Sequence, residues 1–153
     1  MSFTGSIIGG FVTLFGIRYT IKHQRKDDFI RSFPDRLVNA DKIISEAYQL
    51  EEKLKELFDA RKYKHYGVAL HSFLKKEDIL KRESAVVGVD YYNNLSYIFS
   101  LGKTIYEEIS SYDIEDQELF TKCNYYINYL NAVNEKLYEL KLGLEIRFAE
   151  INI

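Results

Sequence analysis

The densest set of chemistry-bearing side chains lies between residues 61 and 82, RKYKHYGVALHSFLKKEDILKR, which holds seven basic and two acidic residues. Arg61, Lys62, Lys64, Lys75, Lys76, Lys81 and Arg82 are interleaved there with Tyr63, His65 and Tyr66. Cations beside aromatic rings suit a phosphate-bearing ligand, because the charges attract the phosphate and a ring can stack on a base. An anionic ligand such as a nucleotide is the occupant this pattern favours. An acidic protein partner is a second candidate, and nucleic acid is the least favoured. If the helix preceding the patch lay along a membrane, the same charges would meet anionic lipid. The plainer alternative is a solvated basic loop.

A second set lies further on. Asn124, Asn128 and Asn131 recur at i, i+4 and i+7, with Tyr125 and Tyr129 on the adjacent ridge. Asparagine is a weak helix former, so an amide-and-phenol ridge on a helix reads as adaptable contact surface for a protein partner or a second copy of the chain. The alternative is an ordinary solvated face.

The remaining reactive types point away from catalysis. His23, His65 and His71 do not pair at i, i+4, and no carboxylate–histidine cluster suggests a metal. The lone Cys123 excludes an internal disulfide, fits a reducing compartment, and falls on an apolar stripe where a buried, inert thiol is expected. Carboxylates are interleaved with lysines. The acidic run from Glu107 to Glu118 reads as charge favouring a helix N-terminus. No enzyme, cofactor or metal is expected.

The elements that would position these residues are helices. From Asp27 to about Lys62, Phe33, Leu37, Ala40, Ile44, Ala47, Leu50, Leu54 and Leu57 recur at steps of three and four. The single proline, Pro34, should kink this helix or begin it with Ser32 as N-cap, giving a hinge near 31–34. Residues 63–89 are less regular; one or two short helices fit, with a brief extended piece at Ala85–Val89. Asp90 is a candidate N-cap for a helix whose stripe is Tyr91, Leu95, Ile98, Gly102, Ile105, Ile109 and Tyr112. Gly102 on that stripe implies close approach by a neighbour. Asp113 would cap the last helix, whose stripe runs Leu119, Cys123, Tyr126, Leu130, Val133, Leu137, Leu140, Leu144. That stripe alternates four and three throughout, as in a coiled coil. The short link at Asp113 makes the last two helices antiparallel neighbours.

The first seventeen residues, MSFTGSIIGGFVTLFGI, carry no charge, and the next fourteen hold five basic and two acidic residues. An apolar stretch ending in a basic cluster reads as a membrane helix over 1–21, with Arg18 snorkelling and the basic side in the cytoplasm. Within it, Gly5 and Gly9 form a GxxxG that Thr13 extends, a face suited to packing two membrane helices. The run GSIIGGFVTLFGIRYTIKHQRKDDF resembles the start of small single-pass membrane proteins of Gram-positive bacteria and their phages. The resemblance spans about 25 of the 153 residues and implies topology and origin, with no activity.

These readings combine into an all-α protein: a transmembrane helix (1–21), a basic juxtamembrane segment and hinge (22–33), and an elongated antiparallel helical bundle with coiled-coil-like packing (34–153). The net charge of −2 hides an acidic scaffold with two basic patches. The function that fits is a membrane-tethered, non-enzymatic scaffold, adaptor or regulator at the cell membrane, N-terminus outside, and a homo-oligomer, a dimer by base rate. The alternative is a membrane-disrupting effector, a toxin or defence protein, triggered by an anionic ligand at the distal basic patch.

Overall fold

The computed structural model describes the backbone of residues 3–111 and 116–152, and the side chains of residues 19–111 and 117–151. The described chain is all-helical: α1 (Phe3–Asp59), α2 (Tyr63–Leu74), α3 (Glu77–Val87), α4 (Val89–Ser110) and α5 (Asp116–Asn152). Among the described residues no helix is long and apolar enough to cross a membrane. The side chains of the uncharged N-terminal stretch, Gly5, Gly9 and Thr13 among them, lie outside the described residues.

α1 buries a regular ladder: Phe29, Phe33, Ala40, Ile43, Ala47, Leu50, Leu54 and Leu57. α5 runs antiparallel to it. Phe33 stacks on Phe148 at 3.9 Å at one end, Lys141 pairs with Asp41 at 2.6 Å further along, and Phe58 meets Phe120 at 4.7 Å at the other end. α2 and α3 form one interrupted arm descending along α1, tied by Lys76–Glu46 and Lys42–Glu83. α4 then ascends beside that arm, with Phe73 stacked on Phe99 and Lys103 paired to Glu77. The result is an up-down-up-down bundle around a single core.

Several sequence expectations need correction. Pro34 does not begin a helix, because α1 passes through it as one helix. Ser32 is inside that helix, where its hydroxyl donates to the Phe29 carbonyl at 3.2 Å. A proline removes one ladder donor and crowds the preceding turn. Here Phe29 and Phe33, in the turn just before Pro34, pack against α5 and hold the helix through it. The extended piece at 85–89 is also absent, since α3 continues to Val87 and only Gly88 is extended, at φ 159° and ψ 169°. Asp90 is in the first turn of α4 and does not cap it. The connector after α1 is a tight turn in which Arg61 takes φ 53°. Lys62 N–H bonds the Leu57 carbonyl at 2.8 Å and Arg61 N–H bonds that of Phe58 at 2.9 Å. These two bonds satisfy the last carbonyls of α1 in the manner of a glycine-type C-cap. Asp113 and Tyr112 lie outside the described residues.

Gly102 does mark a close approach. A Cβ there would stand 2.7 Å from the Tyr126 hydroxyl and 3.3 Å from Leu74 Cδ2. Tyr126 is fully buried and its hydroxyl donates to the Ile98 carbonyl at 3.2 Å, so the ring has nowhere to retreat. Gly102→Ala should therefore cost about 1–3 kcal/mol by overpacking. Gly143→Ala, with nothing within 4 Å of the added carbon, should instead stabilise by about 0.5–1 kcal/mol. Denaturant unfolding of the two variants checks this, and equal effects of the same sign would contradict the packing at Gly102.

Candidate functional site

The connector patch does not assemble as one site. Arg61, Lys62, Lys64, His65, Lys75 and Arg82 are exposed, strung along α2 and α3 over ~30 Å at 1.5 Å per residue. Lys76 is held by Glu46 at 2.6 Å and Lys81 by Glu77 at 2.7 Å, so both cations are neutralised within the bundle. Tyr66 is not a surface ring at all. It is fully buried, and its hydroxyl donates to the Cys123 carbonyl at 3.3 Å. The patch reading fails for it because a 12-residue helix that must bury Leu70 and Phe73 also turns position 66 inward.

What the structure does gather is smaller. Lys64, His71 and Lys75 share one ridge of α2 and border a groove of about 550 Å³ whose opposite wall is Tyr106 and Ile109 of α4. His71 stacks on Tyr106 with centroids 4.8 Å apart and planes at 18°. Sequence spacing could not single out His71, because its ring partner comes from another helix. The chemistry of this groove is anion attraction beside a flat ring pair. Among the described residues no group of three or more His, Cys, Asp or Glu side chains could hold a metal.

The α5 surface is placed as the sequence suggests. Asn124, Asn128 and Asn131 are exposed, Tyr125 is 59% exposed, and Tyr129 is half-buried. The same ridge continues in three-four steps through Glu135 to Tyr138, Leu142 and Ile146, all exposed. α5 thus carries two long seams. One is buried against α1 and α4; the other faces outward and holds a single charge among its seven side chains, Asn124 to Ile146.

Sequence reasoning missed the polar contact inside the core. Glu51 and Asn134 are 3% and 8% exposed, and the Asn134 amide donates to Glu51 Oε2 at 2.6 Å. Lys55 pairs with the other Glu51 oxygen from the same helix. Asn134 Oδ1 has no hydrogen-bond partner. The available signal was positional: Asn134 stands seven residues after buried Ile127, on a second inward row. Asn134→Leu should cost about 1–3 kcal/mol by leaving a buried carboxylate half-served. Adding Glu51→Leu should recover most of that loss, since replacing both partners of a buried polar pair is often neutral. A double-mutant cycle from denaturant unfolding gives the coupling, and purely additive losses would contradict the contact.

Cys123 is buried, and desolvation pushes its thiol up to about 12, with the Tyr66 hydroxyl a smaller opposing influence. Desolvation likewise lifts the phenols of Tyr66, Tyr91 and Tyr126 above the usual phenol range. These groups hold their protons more tightly folded than unfolded, where a thiol ionises near about 8.5 and a phenol near about 10. Their contribution is fully present below about pH 8.5 and is lost as pH rises above it. In an alkaline titration the phenols to follow are those of Tyr66, Tyr91 and Tyr126. The buried three should ionise only as helical circular dichroism is lost. Full phenolate absorbance before any loss of helicity would overturn their burial.

Comparison of this chain with protein-family models, with curated proteins and with solved structures finds no match.

Proposed function

We propose that this protein is a membrane-tethered, non-enzymatic interaction module, a scaffold, adaptor or regulator, whose bundle binds a second copy or a protein partner. The observation that carries this reading is the outward seam of α5. A helix needs one apolar stripe to join a bundle, and α5 has that stripe buried. The additional ridge from Asn124 through Tyr138, Leu142 and Ile146 is nearly uncharged on a chain that is 29% charged. Tyrosine, asparagine and aliphatic side chains in that arrangement match protein contact surface. Tethering is supported by the uncharged first seventeen residues and the basic run after them, which by the positive-inside rule places residues 18–153 in the cytoplasm. α1 is one helix from Phe3 to Asp59, so an anchor at its start would be coupled rigidly to the bundle.

The test uses the full chain. It should pellet with membranes, resist carbonate extraction, and crosslink as a dimer in mild detergent. Tyr138→Glu with Leu142→Glu should abolish a dimer made through α5, and Gly9→Leu one made through the GxxxG face. A monomer at tens of micromolar, in detergent and in membranes, would end the self-association reading. The second reading, a ligand-triggered membrane effector, is favoured by the Lys64–His71–Lys75 groove. It predicts that induced expression depolarises cells, whereas a scaffold leaves them polarised.

A further inference from the structure

The buried ladder of α1 changes chemistry before it leaves the bundle. Traced backward from Leu57 in steps of three and four, it runs through buried Leu54, Leu50, Ala47, Ile43 and Ala40, past half-buried Arg36, to buried Phe33 and Phe29. The same period then reaches Lys26, Lys22 and Tyr19. These positions face the final turns of α5 across a groove of about 710 Å³, to which α5 contributes Arg147 and Ile151. Its described lining holds Lys22, Arg25, Lys26 and Arg147, and no aspartate or glutamate. None of these four cations makes an ion pair among the described residues. Arg147 lies over the Phe29 ring at 4.7 Å, and Arg36 approaches the same ring at 5.5 Å.

Seven lysines elsewhere in the bundle, Lys42, Lys55, Lys76, Lys81, Lys103, Lys122 and Lys141, meet a carboxylate, while Lys62, Lys64 and Lys75 of the connector make no ion pair among the described residues. Four unpaired cations converging on one groove repel each other, and a bound anion relieves that repulsion. The groove is not wholly polar, since Tyr19, Ile21 and Ile151 supply apolar wall. The occupant is therefore an anion with an apolar body. Position narrows it further. At ~1.5 Å per residue, Lys22 and Lys26 stand about 8–14 Å along the helix from Ile17, the end of the uncharged stretch. That distance reaches the headgroup layer of a bilayer whose hydrocarbon core the stretch enters.

We propose that this groove binds the headgroup phosphate of an anionic glycerophospholipid, with the glycerol and upper acyl carbons against Tyr19, Ile21 and Ile151. The assignment rests on the membrane-tether reading given above. It adds a lipid-binding site made jointly by α1 and the C-terminal turns of α5, so that lipid would clamp the two long helices at their membrane end.

The full chain in a neutral non-ionic detergent, examined by native mass spectrometry against phosphatidylglycerol and phosphatidylcholine of identical acyl chains, tests this. Phosphatidylglycerol should be retained about thirtyfold better, as roughly 1 kcal/mol for each of the two lysines near anionic lipid implies. Lys22→Gln with Lys26→Gln should remove most of that preference. Lys22→Arg with Lys26→Arg should keep the preference, and Arg147→Gln should weaken it. Lys53→Gln with Lys136→Gln removes equal charge from exposed pairs on α1 and α5 and should change nothing. Parity in the unmodified chain overturns the proposal, as does a lost preference in the Lys53/Lys136 control. Equal displacement of the lipid by free glycerol phosphate overturns it in favour of a soluble phosphate ligand. Carbonate extraction of the same protein reads the tether separately. A chain that stays in the membrane without lipid preference refutes the groove alone; one that is extracted yet keeps the preference refutes the tether alone.

Discussion

The antiparallel seam between α1 and α5 sets the register of everything else. It runs from the Phe33–Phe148 stack to the Phe58–Phe120 contact, 25 positions of α1 or ~38 Å at 1.5 Å per residue. A seam of repeating small and aliphatic side chains can slip by a heptad at modest cost. The Glu51–Asn134 hydrogen bond resists that slip, because any other register would bury the Asn134 amide unpaired and leave the Glu51 carboxylate with Lys55 alone. Three tyrosine hydroxyls act in the same sense. Tyr66, Tyr91 and Tyr126 each donate to a main-chain carbonyl of another helix, at Cys123, Leu137 and Ile98. A phenol must reach one carbonyl on one neighbouring helix, so each of these contacts fixes an axial offset between two arms.

Helix identity was legible because the signal repeats. The α5 stripe from Leu119 to Leu144 and the α4 stripe from Tyr91 to Ile109 carry enough periods to survive a one-residue error, and Gly102 was readable as a close approach for that reason. Boundaries were not legible where one local residue type seemed decisive. Pro34 reads as a break, yet the aromatics just before it, packed on α5, keep α1 continuous. The five residues at Ala85–Val89 read as extended from their side chains, yet Val87 is needed inward on α3. The stripe on α1 passes through Ile43 and not Ile44, a distinction that depends on which side α5 occupies and that period alone does not decide.

The candidate sites divide along the same line. The α5 ridge was legible because it is a property of one helix: Asn124, Asn128 and Asn131 share a face whatever α5 packs against. The basic connector was not, because its residues are divided between packing and surface by their neighbours. Tyr66 goes to the core, Lys76 and Lys81 go to carboxylates, and Lys64 and Lys75 are joined by His71 only once α4 brings Tyr106 alongside. Asn134 and Glu51 escaped notice for the converse reason: each looks like an ordinary surface residue until the other helix is placed.

The polarity of the bundle follows from where the long helices stop matching. α5 supplies apolar partners to α1 as far as Phe148, which covers Phe33. Beyond that, Phe29 is covered by Arg147 and Arg36, whose guanidiniums approach its ring within about 6 Å, the range of a cation–π contact. Arginine can cover an aromatic with its plane while keeping its charge near water, which an aliphatic side chain cannot do. Phe29 thus closes the core, and the ladder positions above it are lysines. A leucine at 22 or 26 would extend exposed apolar surface along α1 beside Arg147, inviting slippage or association at the wrong place. A lysine there removes that option and concentrates positive charge at one end of a chain whose remaining residues sum to a net negative charge. Core closure and charge asymmetry are therefore one feature, produced by the same few residues of α1 and the last turns of α5.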